Sequence, residues 1–280
     1  MSVSEVIARF RDPPPVVPVL RFDGVIGTRQ WRGAVSLASH AAALDRAFKI
    51  KRAAAVAIIV NSPGGSPVQS SLLYRRIRAL AEEKRLPVFA FAEDVAASGG
   101  YWLALAGDEV YAEETSIVGS IGVVSSGFGF TRLIDRLGVE RRLYTAGESK
   151  SLLDPFLPER ERDVERLTVL QEDIHAAFKD HVKRRRGGRI DPTDETLFSG
   201  EVMTGRMALA KGLVDGIGDL RSVMRARFGE RVRLVPVASE RRRRWPLSRP
   251  ARGVGAAGVN FLAEFADWAE ARLLWARFGL

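Results

Sequence analysis

A chain of 280 residues, 46% apolar and 28% charged, has the make-up of an ordinary globular protein of one large domain or two small ones. It has no cysteine, which excludes disulfides, thiolate nucleophiles and cysteine-ligated metals; its three histidines, His40, His175 and His181, stand in no metal-binding spacing and read as surface or packing residues, so no metal or other cofactor is implied. The net charge of +9 would suit nucleic acid or anionic lipid, but six arginines crowd between Arg241 and Arg252, so much of the excess belongs to a tail and no nucleic-acid partner is expected.

In chain order, "MSVSEVIARFRDPPP" (residues 1–15) lacks the apolar centre of a secretory signal, and no run of 18 apolar residues follows it. The expected location is therefore cytoplasmic. From Val16 to Val237 strand-like and helix-like pieces alternate. "VVPVLRFDGVIG" predicts a first strand, Ser36–Phe48 a helix, Ala53–Val60 a buried strand, "NSPGGS" a turn, and Pro67–Glu83 a second helix. "LPVFAFAE", "SGGYWLALAG" and "DEVYAEE" continue as strand, helix and short strand. The glycine-rich "TSIVGSIGVVSSGFGF" comes next, then "VERRLYTAG" as a further strand. Short apolar runs between helices imply parallel strands covered on both faces, an α/β fold. A long helix over Glu159–Arg186 has an apolar stripe of Val164, Leu167, Leu170, Ile174, Phe178 and Val182, and closes on "RRRGG", read as a solvated, cation-rich helix end. Residues 238–253 read as a basic linker and 254–280 as an amphipathic helix, which either docks on protein or lies on a membrane surface through residues 241–280.

Three loops carry candidate chemistry. In "VNSPGGS", Gly64 and Gly65 permit positive φ and close approach; they make either a tight strand-to-helix turn or backbone N–H donors for an oxyanion. Ser98, in "AASGGYW", occupies the same place one β-α unit later. It is either a helix N-cap or a nucleophile, with the Gly99 N–H as a second oxyanion donor. A nucleophilic serine needs a base, and no histidine lies in a motif-like setting. The candidate is Lys150, in "TAGESKSLLDPF". A free lysine, with its pKa near about 10.4, is almost wholly protonated at pH 7, and burial would be needed to make it a base.

Together, "VNSPGG", "AASGGYWLALAGDEVYAEETSIVGSIGV", "GESKSLLDPF" and "GEVMTGRMALAKGLVDGIGDL" resemble the signal-peptide peptidase A (SppA) family of Ser/Lys serine peptidases, over about Val16–Val237 and in the family's order. The resemblance implies a ClpP/crotonase-type fold of repeated β-β-α and β-α units with a mostly parallel sheet, in a short single-repeat form without the family's N-terminal membrane anchor. It implies Ser98 as nucleophile, Lys150 as general base and Ser120, in "VGSIGV", as the group that holds the lysine. Gly64 or Gly65, with Gly99, would serve the oxyanion. The implied substrates are unstructured or membrane-derived peptides, such as signal-peptide remnants. The implied enzyme is a homo-oligomer whose dyad is shared between subunits, so that within one chain Ser98 and Lys150 stand beyond hydrogen-bond reach. Two other readings stay open. A crotonase-type acyl-CoA enzyme would draw on Glu93, Asp94, Glu113 or Glu114, and a non-catalytic scaffold of the same fold would associate with membranes through its terminal helix.

Overall fold

The computed structural model describes residues 13–27, 34–147 and 149–239, with four positions near the C-terminus, Arg272, Trp275, Ala276 and Phe278. The predicted N-terminal extension, basic linker and terminal amphipathic helix fall almost wholly outside the described residues.

The strands are β1 (Val16–Asp23), β2 (Val56–Ser62), β3 (Val88–Ala97), β4 (Glu109–Ala112), β5 (Ile117–Gly119), β6 (Val202–Thr204), β7 (Gly216–Ile217) and β8 (Arg233–Pro236). They form one sheet in the order β6-β5-β3-β2-β1-β8, with β4 pairing both β3 and β7. Every pairing is parallel except β5 with β6. β3 forks the sheet: Phe89–Ala92 pair with β4, whereas Val95–Ala97 pair with β5. Glu93 and Asp94 occupy the bend between the two branches, which is why the predicted strand ended too early at Glu93 and the real one runs on to Ala97.

The side-chain alternation of β1, β2 and β3 sorts their residues onto two faces. Leu20, Phe22, Val56, Ile58, Val60, Val88 and Ala90 point into the larger core. It is covered by α1 (Leu37–Phe48), α2 (Pro67–Lys84) and α3 (Gly99–Ala104). Val17, Val19, Ala55, Ala57, Phe89 and Phe91 point the other way. There they meet Met224, Val223 and Phe228 of α7 (Leu220–Phe228). Covering both faces explains the uninterrupted apolar runs. Ser36 starts α1 with a capping box: its Oγ accepts from Ser39 N–H and its own N–H donates to Ser39 Oγ. Ser66 caps α2, with Pro67 in its first turn.

Two expectations need correction. "VERRLYTAG" is no strand: residues 139–145 are irregular and exposed, part of an arm over residues 123–160 that contains the short helix α4 (Thr131–Arg136). Among the described residues several of its apolar side chains are left uncovered; Tyr144 is 90% exposed and Phe128 74%. The long helix, α5 (Glu161–Arg186), exists as read, but its apolar stripe is buried only in its second half. Phe178 and Val182 are in the core, whereas Val164, Leu170 and Ile174 are exposed. Its end is solvated only in part: Lys183 and Arg184 are exposed. Arg186 is buried, with Nη1 and Nη2 donating to both oxygens of Asp215 at 2.8 and 3.0 Å and Nε to Gly212 O at 2.7 Å. A further short helix, α6 (Gly205–Ala210), links β6 to the stretch before β7.

Candidate active site

Ser98 stands between the end of β3 and the first residue of α3, with φ 51° and ψ −122°. A non-glycine residue at positive φ is held there at a cost of about 1–3 kcal/mol, which the surroundings must offset. They do so through backbone bonds: Ser98 N–H donates to Gly119 O at 2.8 Å, and Ser98 O accepts from Trp102 N–H at 3.0 Å. The hydroxyl makes no capping bond to α3, so the helix-cap account of this serine fails.

The Gly64–Gly65 turn lies directly against it. A Cβ on Gly64 (φ +106°) would come 2.8 Å from Ser98 Cβ and 2.9 Å from Gly99 N. A Cβ on Gly99 would meet Ser70 Oγ at 2.5 Å and Gly65 N at 3.4 Å. No side chain larger than hydrogen fits either place. The Gly64 N–H donates to Ser62 Oγ at 3.2 Å and its carbonyl accepts from Ile26 N–H. Among the described residues, the Gly65 and Gly99 N–H groups have no acceptor in the protein. Asn61, which the sequence offers only as a turn residue able to bond the local backbone, fixes the ends of the two strands that present these turns: its Oδ1 accepts from Val95 N–H at 3.1 Å and its Nδ2 donates to Asp94 at 3.0 Å.

Ser120 follows β5 and also has positive φ, 51°. Its N–H donates to Glu201 O at 2.7 Å, and its neighbour Gly119 is the acceptor for Ser98 N–H. Ser98 and Ser120 are thus brought to adjacent ends of paired strands. Lys150 is not brought to them. It is exposed in the arm, its N–H bonded to Gly147 O, and no hydrogen bond joins its side chain to Ser98 or Ser120 within the chain. The arm holds its own shape by stacking Phe130 on Phe156 at 5.6 Å and by an Arg141–Asp154 ion pair at 2.9 Å.

The carboxylates of the acyl-CoA reading are committed elsewhere: Glu93 to Arg21, Asp94 to Asn61, and Glu114 to Arg206. Glu93, Asp94 and Glu113 line a cavity of about 480 Å³, together with Thr115, Ser116, Ile117 and Phe278, but neither Ser98 nor the glycine pair borders it. Among the described residues, no group of His, Asp or Glu is arranged to hold a metal ion. Of the histidines, His40 stacks on Phe22, while His181 packs between Trp102 and Tyr74, where burial pushes it down to about 4. All three reach a backbone carbonyl: His40 Nδ1 that of Ser36 and His181 Nε2 that of Trp102, each at 3.3 Å, while His175 Nε2 donates to Ile121 O at 3.1 Å, one residue after Ser120.

The sequence model of peptidase family S49 matches residues 80–229, more than half of the chain. The chain belongs to peptidase family S49. Its S49 domain is therefore a serine peptidase domain, and the fold around it is the α/β architecture with a mostly parallel sheet that the residues implied. The S49 chain is similar to the chloroplastic serine protease SPPA of Arabidopsis thaliana, 35% identical over 61% of this chain and 25% of that one. It is 50% identical to a Brucella abortus protein named as a Na⁺/H⁺ antiporter, NhaA, over 97% of this chain but only 38% of the relative. That alignment takes in nearly the whole S49 chain, so the shared segment contains the peptidase domain, and the chain spans about two-fifths of the Brucella protein. Among the described residues no helix is long and apolar enough to cross a membrane. A solved structure of similar fold, at 13% identity, is a mutant of the 1510-N membrane-bound stomatin-specific protease in complex with a substrate peptide; the TM-score is 0.52, over 91% of this chain and 99% of that one.

Proposed function

We propose that this S49 chain is an endopeptidase in which Ser98 is the nucleophile and Lys150, delivered by the arm of a neighbouring subunit, is its base. The observation that carries this reading is the serine itself, held at positive φ with its hydroxyl unused for capping, beside two N–H groups without acceptors. Backbone strain of this kind clusters at active sites.

In the proposed reaction a neutral Lys150 takes the Ser98 proton as Oγ attacks a peptide carbonyl. The N–H groups of Gly65 and Gly99 receive the oxyanion, and Gly64 lets the two turns close together. The C–N bond breaks as the lysine ammonium protonates the leaving amine. Water, deprotonated by the same lysine, then hydrolyses the acyl-enzyme. Losing one oxyanion donor typically costs about 3 kcal/mol of barrier. Ser120 accepts a hydrogen bond from the Lys150 ammonium and aims it. The apolar side chains exposed along the arm and on the outer half of α5, Phe128, Leu137, Tyr144, Leu170 and Ile174 among them, support a homo-oligomer, because they need a covering surface and surround the element that bears Lys150. The substrates are unstructured or membrane-derived peptides. Two similar proteins, one named as an antiporter and one as a membrane-bound protease, support work beside a bilayer.

The test is fluorophosphonate labelling and casein cleavage by the wild-type oligomer, Ser98→Ala and Lys150→Met. The reading expects both signals in the wild type and neither in the variants. Labelling that survives Ser98→Ala would remove the nucleophile, and normal turnover by Lys150→Met would remove the base. An inert wild-type oligomer would favour the scaffold.

A further inference from the structure

The turn that carries Ser120 is pinned at several points, nearly all by backbone. Gly119 O accepts from Ser98 N–H at 2.8 Å, Ser120 N–H donates to Glu201 O at 2.7 Å, and Gly122 N–H donates to Ser120 O at 2.9 Å. The exception is Ile121 O, which takes its bond from a side chain, His175 Nε2, at 3.1 Å. A carbonyl only accepts, so Nε2 carries the proton whichever state the ring is in. The Ile121 side chain is fully buried, which prevents this peptide from turning to another partner without leaving the core. Ser120 at φ 51° is a conformation that persists only where its neighbours over-determine it.

His175 also sits where α5 leaves the body of the molecule. Beyond it Phe178, His181, Val182 and Arg186 are buried, whereas Val164, Val169, Leu170 and Ile174 before it are exposed. The helix continues directly from the arm that bears Lys150.

We propose that His175 is a positioning residue of the peptidase site: by holding the Ile121 carbonyl it fixes the direction of the Ser120 hydroxyl, and so the seat of the lysine base. This rests on the reading of Ser120 as the group that orients Lys150. It gives α5 a task besides packing, since any shift of the helix or of the arm is passed to Ser120 through one hydrogen bond.

Three variants of the full-length oligomer test it, each made in the wild-type and Ser120→Ala backgrounds. His175→Gln keeps an N–H at about the reach of Nε2. His175→Asn keeps the amide but falls short of Ile121, and His175→Leu removes the donor. Turnover of a fluorogenic unstructured peptide and the rate of fluorophosphonate labelling are measured, with the melting temperature as a check on folding. His175→Asn and His175→Leu should lower kcat by about ten- to a hundredfold with KM within about twofold, the scale of a misplaced catalytic group. His175→Gln should stay within about threefold of wild type, the rescue expected of a kept hydrogen bond. In the Ser120→Ala background His175→Asn should cost nothing further, because the two residues act through one another. An equal fractional loss in both backgrounds, or a Gln variant as poor as the Asn one, would overturn the positioning role and leave a structural one. Should His175→Leu fail to fold, the Asn and Gln pair decides the question alone. Full activity of His175→Asn beside a crippled Ser120→Ala overturns only the histidine's role; full activity of Ser120→Ala overturns the reading beneath it.

Discussion

Ser98 is held where a serine costs energy, and Gly64 is the residue that allows it. An alanine at Gly64 faces a positive φ of +106° and a contact of 2.8 Å with Ser98 Cβ. We expect Gly64→Ala to cost about 1–3 kcal/mol of stability, the scale of a strained non-glycine position. Labelling at Ser98, the proposed nucleophile, should fall further than that loss explains, because the strain is relieved by moving this serine. Gly188→Ala, outside the arm, is the control: no atom lies within 4 Å of its added Cβ, and urea midpoint and labelling should be little changed. At this scale the sequence announced residues whose conformation is demanding. A glycine pair after an apolar run and a serine before two more glycines mark places where the backbone does something unusual. It could not announce His175, whose acceptor lies 54 positions away and is a carbonyl that every residue offers. Nor could it announce Asn61, which reads like any turn residue until its two partners on β3 are known.

Among the elements, α5 depends most on polar groups. Burial alone would raise Asp215, but hydrogen bonds from Arg186 and Val110 N–H and the charges of Arg186 and Arg189 outweigh it and hold the carboxyl below its ordinary 3.8. The contribution of this pair is therefore intact above about pH 4 and lost as pH falls through the still lower folded value. Arg186→Met leaves the carboxylate Arg189, at 3.0 Å, and the Val110 N–H, so the cost in urea unfolding at pH 7 should fall at the low end of the about 3–5 kcal/mol of a broken buried pair. His181 works in another window. Burial lowers it from 6.5 to about 4, so between those values the unfolded chain binds a proton that the folded chain refuses. Its contribution is whole above about pH 6.5, declines as pH drops, and is gone below about 4. Melts from pH 7 to 4 should show that decline, and His181→Phe should flatten it; an unchanged slope would place the acid sensitivity elsewhere. The elements also show where pattern reading holds and where it breaks. β1 and β2 were legible because both their faces pack on their own chain, and α1 because its apolar stripe does. "VERRLYTAG" reads as a strand, yet Leu143 and Tyr144 are exposed, so its apolar residues signal a surface for packing rather than a place in the sheet.

For the whole molecule, the proposal of a base carried on an exposed arm makes a sharp prediction. Ser98→Ala and Lys150→Met chains, each inactive alone, should regain part of the wild-type peptidase activity when mixed and allowed to exchange subunits, since an interface between unlike chains would join an intact serine to an intact lysine. No recovery after proven exchange would place the dyad within one chain. The tail makes a separate prediction: a chain ending at Glu240 should bind anionic vesicles more weakly than the full chain, and unchanged binding would favour docking on protein. The arm has one more consequence, which concerns timing. A subunit that has just left the ribosome would hold its nucleophile and its base apart, and would be harmless to its surroundings. Activity would appear only as copies accumulate and meet, rising faster than in proportion to their number. The enzyme would need no propeptide to keep it silent, because dilution would serve.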